Sequence, residues 1–319
     1  MKHYFIINPA AGSGKKIREL KESIEAACRK KGRDFEIYLT KKVGDATEFV
    51  KSKCSGAVEK LRFYACGGDG TANEVASGAA EYENAAVGVI PAGTGNDFLR
   101  CFDGKEHFSN IEAQLDATEA KIDLVSCNDR YIMNMLNTGF DCEVAARAAE
   151  LKRKPFLSPS MAYILGVVGK LIKKPGVRFK VSLDGGEYEE KDLLLATVSN
   201  GRFCGGGFCS SPRARLADGM LEVCFIKDIT RMKFISIVSK YRSGEYLEMK
   251  SIEDIYEYRR AKQVKLEFDT PCNVCLDGEI VKVDKVELNI LPERLTVLVP
   301  KGAAFSKEET GKELLAATV

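Results

Sequence analysis

The stretch "YACGGDGTANEV", residues 64–75, ends an apolar run on two glycines and an aspartate, then resumes with the spacing of a helix. A strand that passes through glycines directly into a helix is the junction of a βα unit. The same pattern recurs around it. "HYFIIN" (3–8) is a short apolar strand that ends at Pro9; beyond a Gly-rich turn, Ile17, Leu20, Ile24, Ala27 and Cys28 repeat at helical spacing, with Gly32 as C-terminal cap. "DFEIYLT" (34–40) alternates as a strand, and "DATEFVKSKC" (45–54) opens with Asp45 and Glu48 at capping-box spacing. "LRFYAC" (61–66) is a third strand, Thr71 and Glu74 repeat the capping-box spacing, "AAVGVIP" (85–91) is a fourth strand, and "NDFLRCF" (96–102) a short helix. Strands alternating with helices in this way predict an α/β fold, a doubly wound parallel sheet with right-handed crossovers.

Near residue 120 the texture changes. "KIDLVSCNDRYIMNMLN" (121–137) reads as a hairpin around Asn128 and Asp129, and residues 178–200 as another around Asp184 and Gly185. "MLEVCFIK", "QVKLEFD", "NVCLDGEIVKV", "KVELNIL" and "RLTVLVP" add strands, interrupted by helical insertions over about 143–174 and 231–246. This half is expected to be a mainly antiparallel β-sandwich. The expected division is 1–122 for the α/β domain, 123–300 for the sandwich, and 301–319 for a tail that packs back on the first domain or frays.

Composition narrows the function. A formal charge of +2, from 48 basic and 46 acidic residues, gives no case for nucleic-acid binding. With only two histidines, His3 and His107, a Ser-His or Cys-His catalytic pair is disfavoured. The apolar start is too short for a signal peptide and no stretch reaches the length of a membrane span, so the chain reads as a soluble cytoplasmic protein. Eleven cysteines lie mostly in apolar runs and read as reduced core residues. The "CNVC" pair, Cys272 and Cys275, lacks a convincing second pair for zinc, since Cys204 and Cys209 are too widely spaced.

Open α/β sheets bind ligands at the carboxyl ends of their strands. Three glycine-rich turns meet that edge: "NPAAGSGK" (8–15), "GGDGTANE" (67–74) and "PAGTGND" (91–97). Without a Cβ, backbone N–H groups can approach an anion closely, and the following helix start adds partial positive charge. Three such cradles point to a nucleotide. Asp69 and Asp97 sit within these turns, where a carboxylate would repel phosphate unless a divalent cation intervened. Capping of the following helices is the plainer alternative, though Thr71 and Asn96 could do that equally well.

"GGDGTANEV", "VGVIPAGTGNDFLR" and "INPAAGSGK" together resemble the catalytic domain shared by soluble diacylglycerol kinases, sphingosine kinases and bacterial lipid kinases. "SNGRFCGGGFCSSPRARLADGMLEV" and "VCLDGEIV" resemble the second-domain motifs of the same family, in order, so the likeness spans nearly the whole chain. NAD kinases and phosphofructokinases also carry a GGDG loop, but not the "NEV" and "GNDF" continuations.

The resemblance implies ATP as phosphoryl donor and Mg²⁺ as its partner, with the nucleotide between the domains. Asn8, Thr40, Gly67, Gly68, Asp69, Gly70, Thr71, Asn73 and Thr94 match nucleotide-contacting positions; Gly12 belongs to the first loop, and Lys15 and Arg18 would add positive charge. Glu279 in "LDGE" matches the proposed general base, with Asp69 and Asp97 beside the chemistry; read from its residues alone, "LDGE" is a plain hairpin turn. A structural Mg²⁺ site is implied at "RLADGM": the Asp218 carboxylate with the carbonyls of Arg215 and Met220, joined through water by Asp123. Ala217 stands where the family usually has a first aspartate. The implied acceptor is a lipid hydroxyl, diacylglycerol first and a sphingoid base or other lipid alcohol second, reached by peripheral association with the inner face of a membrane. Residues 159–178 place an apolar stretch beside basic residues, which suits either membrane docking or a core helix. Other readings are a soluble small-molecule kinase such as an NAD kinase, or a nucleotide- or lipid-sensing module without turnover. A symmetric homodimer is the default expectation for assembly.

Overall fold

The computed structural model describes residues 1–11, 14–92, 96–152, 176–307 and 309. The chain forms two compact units: Met1–Leu124 with Arg215–Gly219 and Leu291–Val319, and Val125–Ala214 with Met220–Ile290. The first break falls close to the expected residue 122. Residues 215–219 and 291–300, expected within the sandwich, return instead to the first unit.

In the first unit, β1 (Lys2–Ile7), β2 (Phe35–Leu39), β3 (Leu61–Gly67) and β4 (Ala85–Pro91) are parallel, in the order β2-β1-β3-β4. Their apolar runs are buried on both faces, as a sheet covered by helices requires. On one face Phe5, Ile7, Tyr64 and Cys66 pack with Ile24 and Cys28 of α1 (Gly14–Lys30) and with Ile111 and Leu115 of α4 (Ile111–Leu115). On the other, Tyr4 stacks on Phe63 and meets Phe49 of α2 (Asp45–Cys54), which packs in turn on α3 (Asp69–Ala79). The sheet is doubly wound. The end of the C-terminal strand adds itself parallel to β4, pairing Thr296 with Ala86 and Val297 with Val87, while Leu298 joins the core. That pairing is what draws 291–300 out of the sandwich. A short β5 (Phe102–Asp103) pairs antiparallel with Ala304–Phe305, so the tail begins against this unit. "NDFLRCF" forms a 3₁₀ turn over Phe98–Cys101 rather than an α-helix.

Neither expected capping box forms. Gly44, at φ 82°, caps α2, and the Asp45 carboxylate turns back to accept from Lys41 N–H at 2.7 Å and from the Tyr38 hydroxyl at 3.0 Å. Gly68 caps α3, which leaves Thr71 inside the first turn and frees Glu74 to accept the Ala46 N–H at 3.2 Å. Glu74 thereby ties α3 to α2, while Asp45 fastens α2 to the end of β2.

The second unit holds the end of β6 (Thr118–Cys127), β7 (Arg130–Ile132), β8 (Met135–Gly139), α5 (Phe140–Lys152), β9 (Val177–Leu183), β10 (Glu189–Ser199), β11 (Leu221–Lys227), α6 (Arg231–Ser243), β12 (Tyr256–Ala261), β13 (Gln263–Leu276) and most of β14 (Glu279–Val299). All pairings recorded within it are antiparallel. The start of β10 pairs with β9 and its end with β8; β13 divides itself between the same two partners. Each therefore passes from one layer to the other around a core that includes Phe179, Val198, Phe225, Leu266 and Leu288. The hairpin tips carry positive φ at Asp184 and Gly185 (51° and 74°) and at Asp277 and Gly278 (47° and 91°), as type I′ turns require. "KVELNIL" and "RLTVLVP", read as separate strands, are one strand bent at Glu293, φ 51°. All eleven cysteines are free thiols. The segment 159–178 lies, but for its last residues, outside the described residues.

Candidate active site

The site is built at the carboxyl ends of β1, β2, β3 and β4. Asn8, one residue past β1, donates from Nδ2 to Oγ1 of Thr71 at 3.2 Å, and its own Oδ1 accepts the Ala10 N–H at 2.9 Å. Thr40, one residue past β2, is held by its N–H on the Ile7 carbonyl at 3.0 Å. Asn8, Thr40 and Thr71 line one cavity of about 350 Å³, together with Pro9, Ala10, Lys41, Lys42 and Glu74. Three side chains far apart in sequence thus converge on one polar hollow. Lys41 and Lys42 supply the positive charge there. Lys15 and Arg18, expected in that role, are exposed on α1 outside the cavity lining, with Lys15 beside Glu19 at 3.8 Å.

The glycines of the central loop have different reasons to be glycine. A Cβ on Gly67 would lie 2.3 Å from Oγ1 of Thr71, so the strand end can approach the helix only without one. At Gly68 and Gly70 a Cβ would meet nothing within 4 Å, and neither has positive φ. Packing does not require glycine at these two positions. The space above them suits a phosphate drawn close to the N-terminus of α3. Asn73 is half-buried on α3. Gly12 and Thr94 lie outside the described residues.

Asp69 holds the neighbouring loop. Its Oδ2 accepts the Asn96 N–H at 2.8 Å and its Oδ1 the Asp97 N–H at 2.9 Å. Asp97 is buried and accepts from Nε of Arg100 at 3.0 Å. The two aspartates are therefore brought together, one organising the backbone of the other.

The "RLADGM" loop is closed within the first unit by Asp123. That carboxylate, 1% exposed, accepts the Gly219 N–H at 2.7 Å and the Glu293 N–H at 2.8 Å, while its own N–H donates to the Leu216 carbonyl at 2.7 Å. Glu309 of the tail adds a contact that the sequence did not signal, accepting the Leu216 N–H at 2.9 Å. Asp218 is half-buried and Arg215 exposed on this loop; Met220 begins the return to the second unit. Among the described residues no three His, Cys, Asp or Glu side chains cluster as a metal site. The expected ligands here are the Asp218 carboxylate and backbone carbonyls, an all-oxygen set. Such a set fits Mg²⁺, which takes few carboxylates and keeps its waters.

In the second unit Glu279 stands exposed at the start of β14 and accepts from Arg130 at 3.1 Å. The turn that carries it is fixed by its neighbour. Asp277 accepts three backbone N–H groups, from Met133 at 2.6 Å, Asn134 at 3.0 Å and Met135 at 2.9 Å. Sequence reading passed over Asp277 because an aspartate before glycine is also what the turn itself demands.

Residues 2–127 match the "Diacylglycerol kinase catalytic domain", and residues 134–299 match the "YegS C-terminal NAD kinase beta sandwich-like domain". A Pseudomonas aeruginosa protein named "Probable lipid kinase YegS-like" is 29% identical over 89% of this chain and 90% of its own. A Staphylococcus carnosus protein named "Diacylglycerol kinase" is 29% identical over 93% of this chain and 94% of its own. Among solved structures, a diacylglycerol kinase from Bacillus anthracis shares the fold, with TM-score 0.67 and 22% identity over 93% of this chain and 96% of that one. Both halves of the chain are covered.

Proposed function

We propose a reaction for a chain that belongs to the lipid kinase family built on the diacylglycerol kinase catalytic domain and the YegS-type sandwich domain: transfer of the γ-phosphoryl group of ATP to the hydroxyl of a membrane lipid, diacylglycerol first among candidates. The observation that carries it is the convergence of Asn8, Thr40 and Thr71 on one cavity beside a glycine loop with open space over Gly68 and Gly70. Phosphoryl transfer asks a protein mainly to position its reactants and neutralise charge. In this reading the backbone N–H groups of residues 68–71 hold phosphate oxygens, and Asn8 fixes Thr71 so that the loop does not reorganise. Lys41 and Lys42 offset the triphosphate charge. Asp69 keeps the 96–97 backbone in place, which brings Asp97 to the same edge.

Asp69 and Asp97 would hold the Mg²⁺ that travels with the nucleotide, and Asp218, with backbone carbonyls, a structural one. When bound, the ion supplies neutralisation of developing phosphate charge. Glu279 is the proposed acceptor of the hydroxyl proton. Asp277 fixes the turn that carries it, and general-base catalysis needs the carboxylate within hydrogen-bond reach of the hydroxyl.

The test is transfer of labelled γ-phosphate by the purified protein to a panel of lipid alcohols and, separately, to NAD. Label in phosphatidic acid supports the proposal. Label in a phosphorylated sphingoid base would move the acceptor within the lipid class, and label in NADP alone would overturn the reading.

A further inference from the structure

The first turn of α2 carries a carboxylate that no step of the proposed reaction uses. Asp45 is only 8% exposed, although the loop before it, 41–43, is exposed throughout. It grips that loop from both sides. Its Oδ2 accepts the Lys41 N–H at 2.7 Å, and its own N–H donates to the Lys42 carbonyl at 3.4 Å. The Tyr38 hydroxyl donates to the same carboxylate at 3.0 Å from the end of β2, and the Tyr38 ring is held by stacking on Phe49, 4.0 Å between centroids.

The loop's other attachments are weaker. Val43 stands 82% exposed and finds no core to pack on. Lys42 meets Glu48 at 3.3 Å, but both side chains lie in solvent, where such a pair contributes little. The Thr40 N–H on the Ile7 carbonyl secures only the loop's beginning. Yet Thr40, Lys41, Lys42 and Val43 all line the hollow of about 350 Å³. A wall made of exposed loop weakens binding by the freedom it loses when a ligand docks, unless it is held beforehand.

The opposite wall hangs from the same turn of helix. The Ala46 N–H donates to Oε2 of Glu74 at 3.2 Å, and the Thr47 hydroxyl donates to the Glu74 carbonyl at 2.8 Å. α3 lies this close to α2 because Gly78 has no side chain: a Cβ there would come within 2.7 Å of Val50 and 3.0 Å of the Thr47 carbonyl. From α3, Thr71 and Glu74 line the hollow. Three successive residues, 45–47, thus fix both walls to one point. The helix start does not call for this, since Gly44 already occupies the N-cap and an aspartate in the first turn favours the dipole without bending back.

We infer, resting on the nucleotide reading of this hollow, that Asp45 is a positioning residue: it holds the 40–43 wall in its binding shape before the triphosphate arrives. Two plainer roles differ from this one in sign. Acting only through its charge, Asp45 would repel phosphate, and Asp45→Ala and Asp45→Asn should both bind nucleotide more tightly. Acting only on folding, it would leave affinity unaltered while both variants melted earlier. Positioning predicts that Asp45→Ala binds about tenfold more weakly, because the ligand must then order the loop itself. Asp45→Asn keeps an acceptor oxygen for the Lys41 N–H and should recover most of that affinity.

Isothermal titration of the full chain with Mg²⁺ and a nonhydrolysable ATP analogue measures this, beside thermal melts. In steady-state assays KM for ATP should rise in Asp45→Ala while kcat holds. Tyr38→Phe keeps the ring stacked on Phe49 and removes the hydroxyl, so it should show the same loss in smaller measure, and it decides the matter should Asp45→Ala fail to fold. Affinity in Asp45→Ala and Tyr38→Phe equal to that of the wild type, or tighter, overturns the role of Asp45 and leaves the nucleotide site standing. A wild type that binds no analogue overturns the nucleotide reading of the hollow, and the role of Asp45 falls with it.

Discussion

The backbone N–H of Asp97 donates to Oδ1 of Asp69 at 2.9 Å, so one acidic residue of the glycine edge sets the position of the other. Asp69 therefore has two duties that substitution can separate. Asp69→Ala strands the N–H groups of Asn96 and Asp97 and should cost about 1–3 kcal/mol of stability. Asp69→Asn keeps one acceptor oxygen and should lose less stability, yet turnover should fall at least a hundredfold in both. Thermal unfolding beside kcat decides it; full activity in Asp69→Asn would reduce Asp69 to a loop fastener.

Glu279→Gln should lower kcat by about a hundredfold or more, the usual share of a general base, with nucleotide affinity unchanged. Its ion pair with Arg130 is solvent-exposed, so the melting temperature should barely move. An unchanged kcat removes Glu279 from the reaction.

Gly67 and Gly68 should respond to alanine in opposite ways. Gly67→Ala drives a Cβ into Thr71 and should cost about 1–3 kcal/mol. Gly68→Ala meets open space, so stability should hold while nucleotide affinity drops, because the methyl takes room that a phosphate oxygen needs. Isothermal titration with a nonhydrolysable ATP analogue, beside thermal melts, separates the two. Intact affinity in Gly68→Ala would argue that phosphate does not approach there.

Asp141 predicts a pH dependence with a definite sign. Burial raises its pKa from 3.8 to about 6, so the folded protein holds this proton more tightly than the unfolded chain. The resulting stabilisation is fully present below pH 3.8 and is lost as the pH rises to about 6. Relative to Asp141→Asn, the wild type should therefore lose about 1–3 kcal/mol between pH 4 and pH 7. Denaturant melts of both proteins at these two values measure it; a difference that grows in favour of the wild type contradicts the burial of this group.

Mg²⁺ should raise the melting temperature of the wild type, and Asp218→Asn should abolish that rise. Asp123→Ala is different, since it leaves the N–H groups of Gly219 and Glu293 without their acceptor and should destabilise the protein with or without metal. A Mg²⁺ response that survives in Asp218→Asn would move the ion elsewhere.

The parallel sheet was legible because its signals are local: apolar runs, glycine turns and helical spacing lie within a few residues of one another. Asn8, Thr40 and Thr71 came from the resemblance of their motifs to the lipid-kinase family, not from the local pattern of the residues themselves. What escaped is long-range. Asp277 reads as a turn residue, and nothing near it announces that its carboxylate gathers Met133, Asn134 and Met135. Lys41 and Lys42 look like any exposed basic pair until the cavity is seen. Asp45 and Glu48 fit a capping box by spacing, yet the N-cap falls on Gly44, so Asp45 lies one residue inside the helix and its carboxylate turns to Lys41 and Tyr38 instead. The return of 291–300 depends on register with Ala86 and Val87, about two hundred positions earlier, which local patterning does not encode.

That return has a consequence for biosynthesis. While the ribosome is still making the middle of the chain, β4 lacks its neighbour and Leu298 is missing from the core it fills. A nascent protein in this condition presents an unpaired hydrophobic edge, the kind of surface on which chains stick to one another. The sheet of the amino-terminal half is complete only once residues 296–298 have been made, and a product truncated before them would keep that edge of β4 bare.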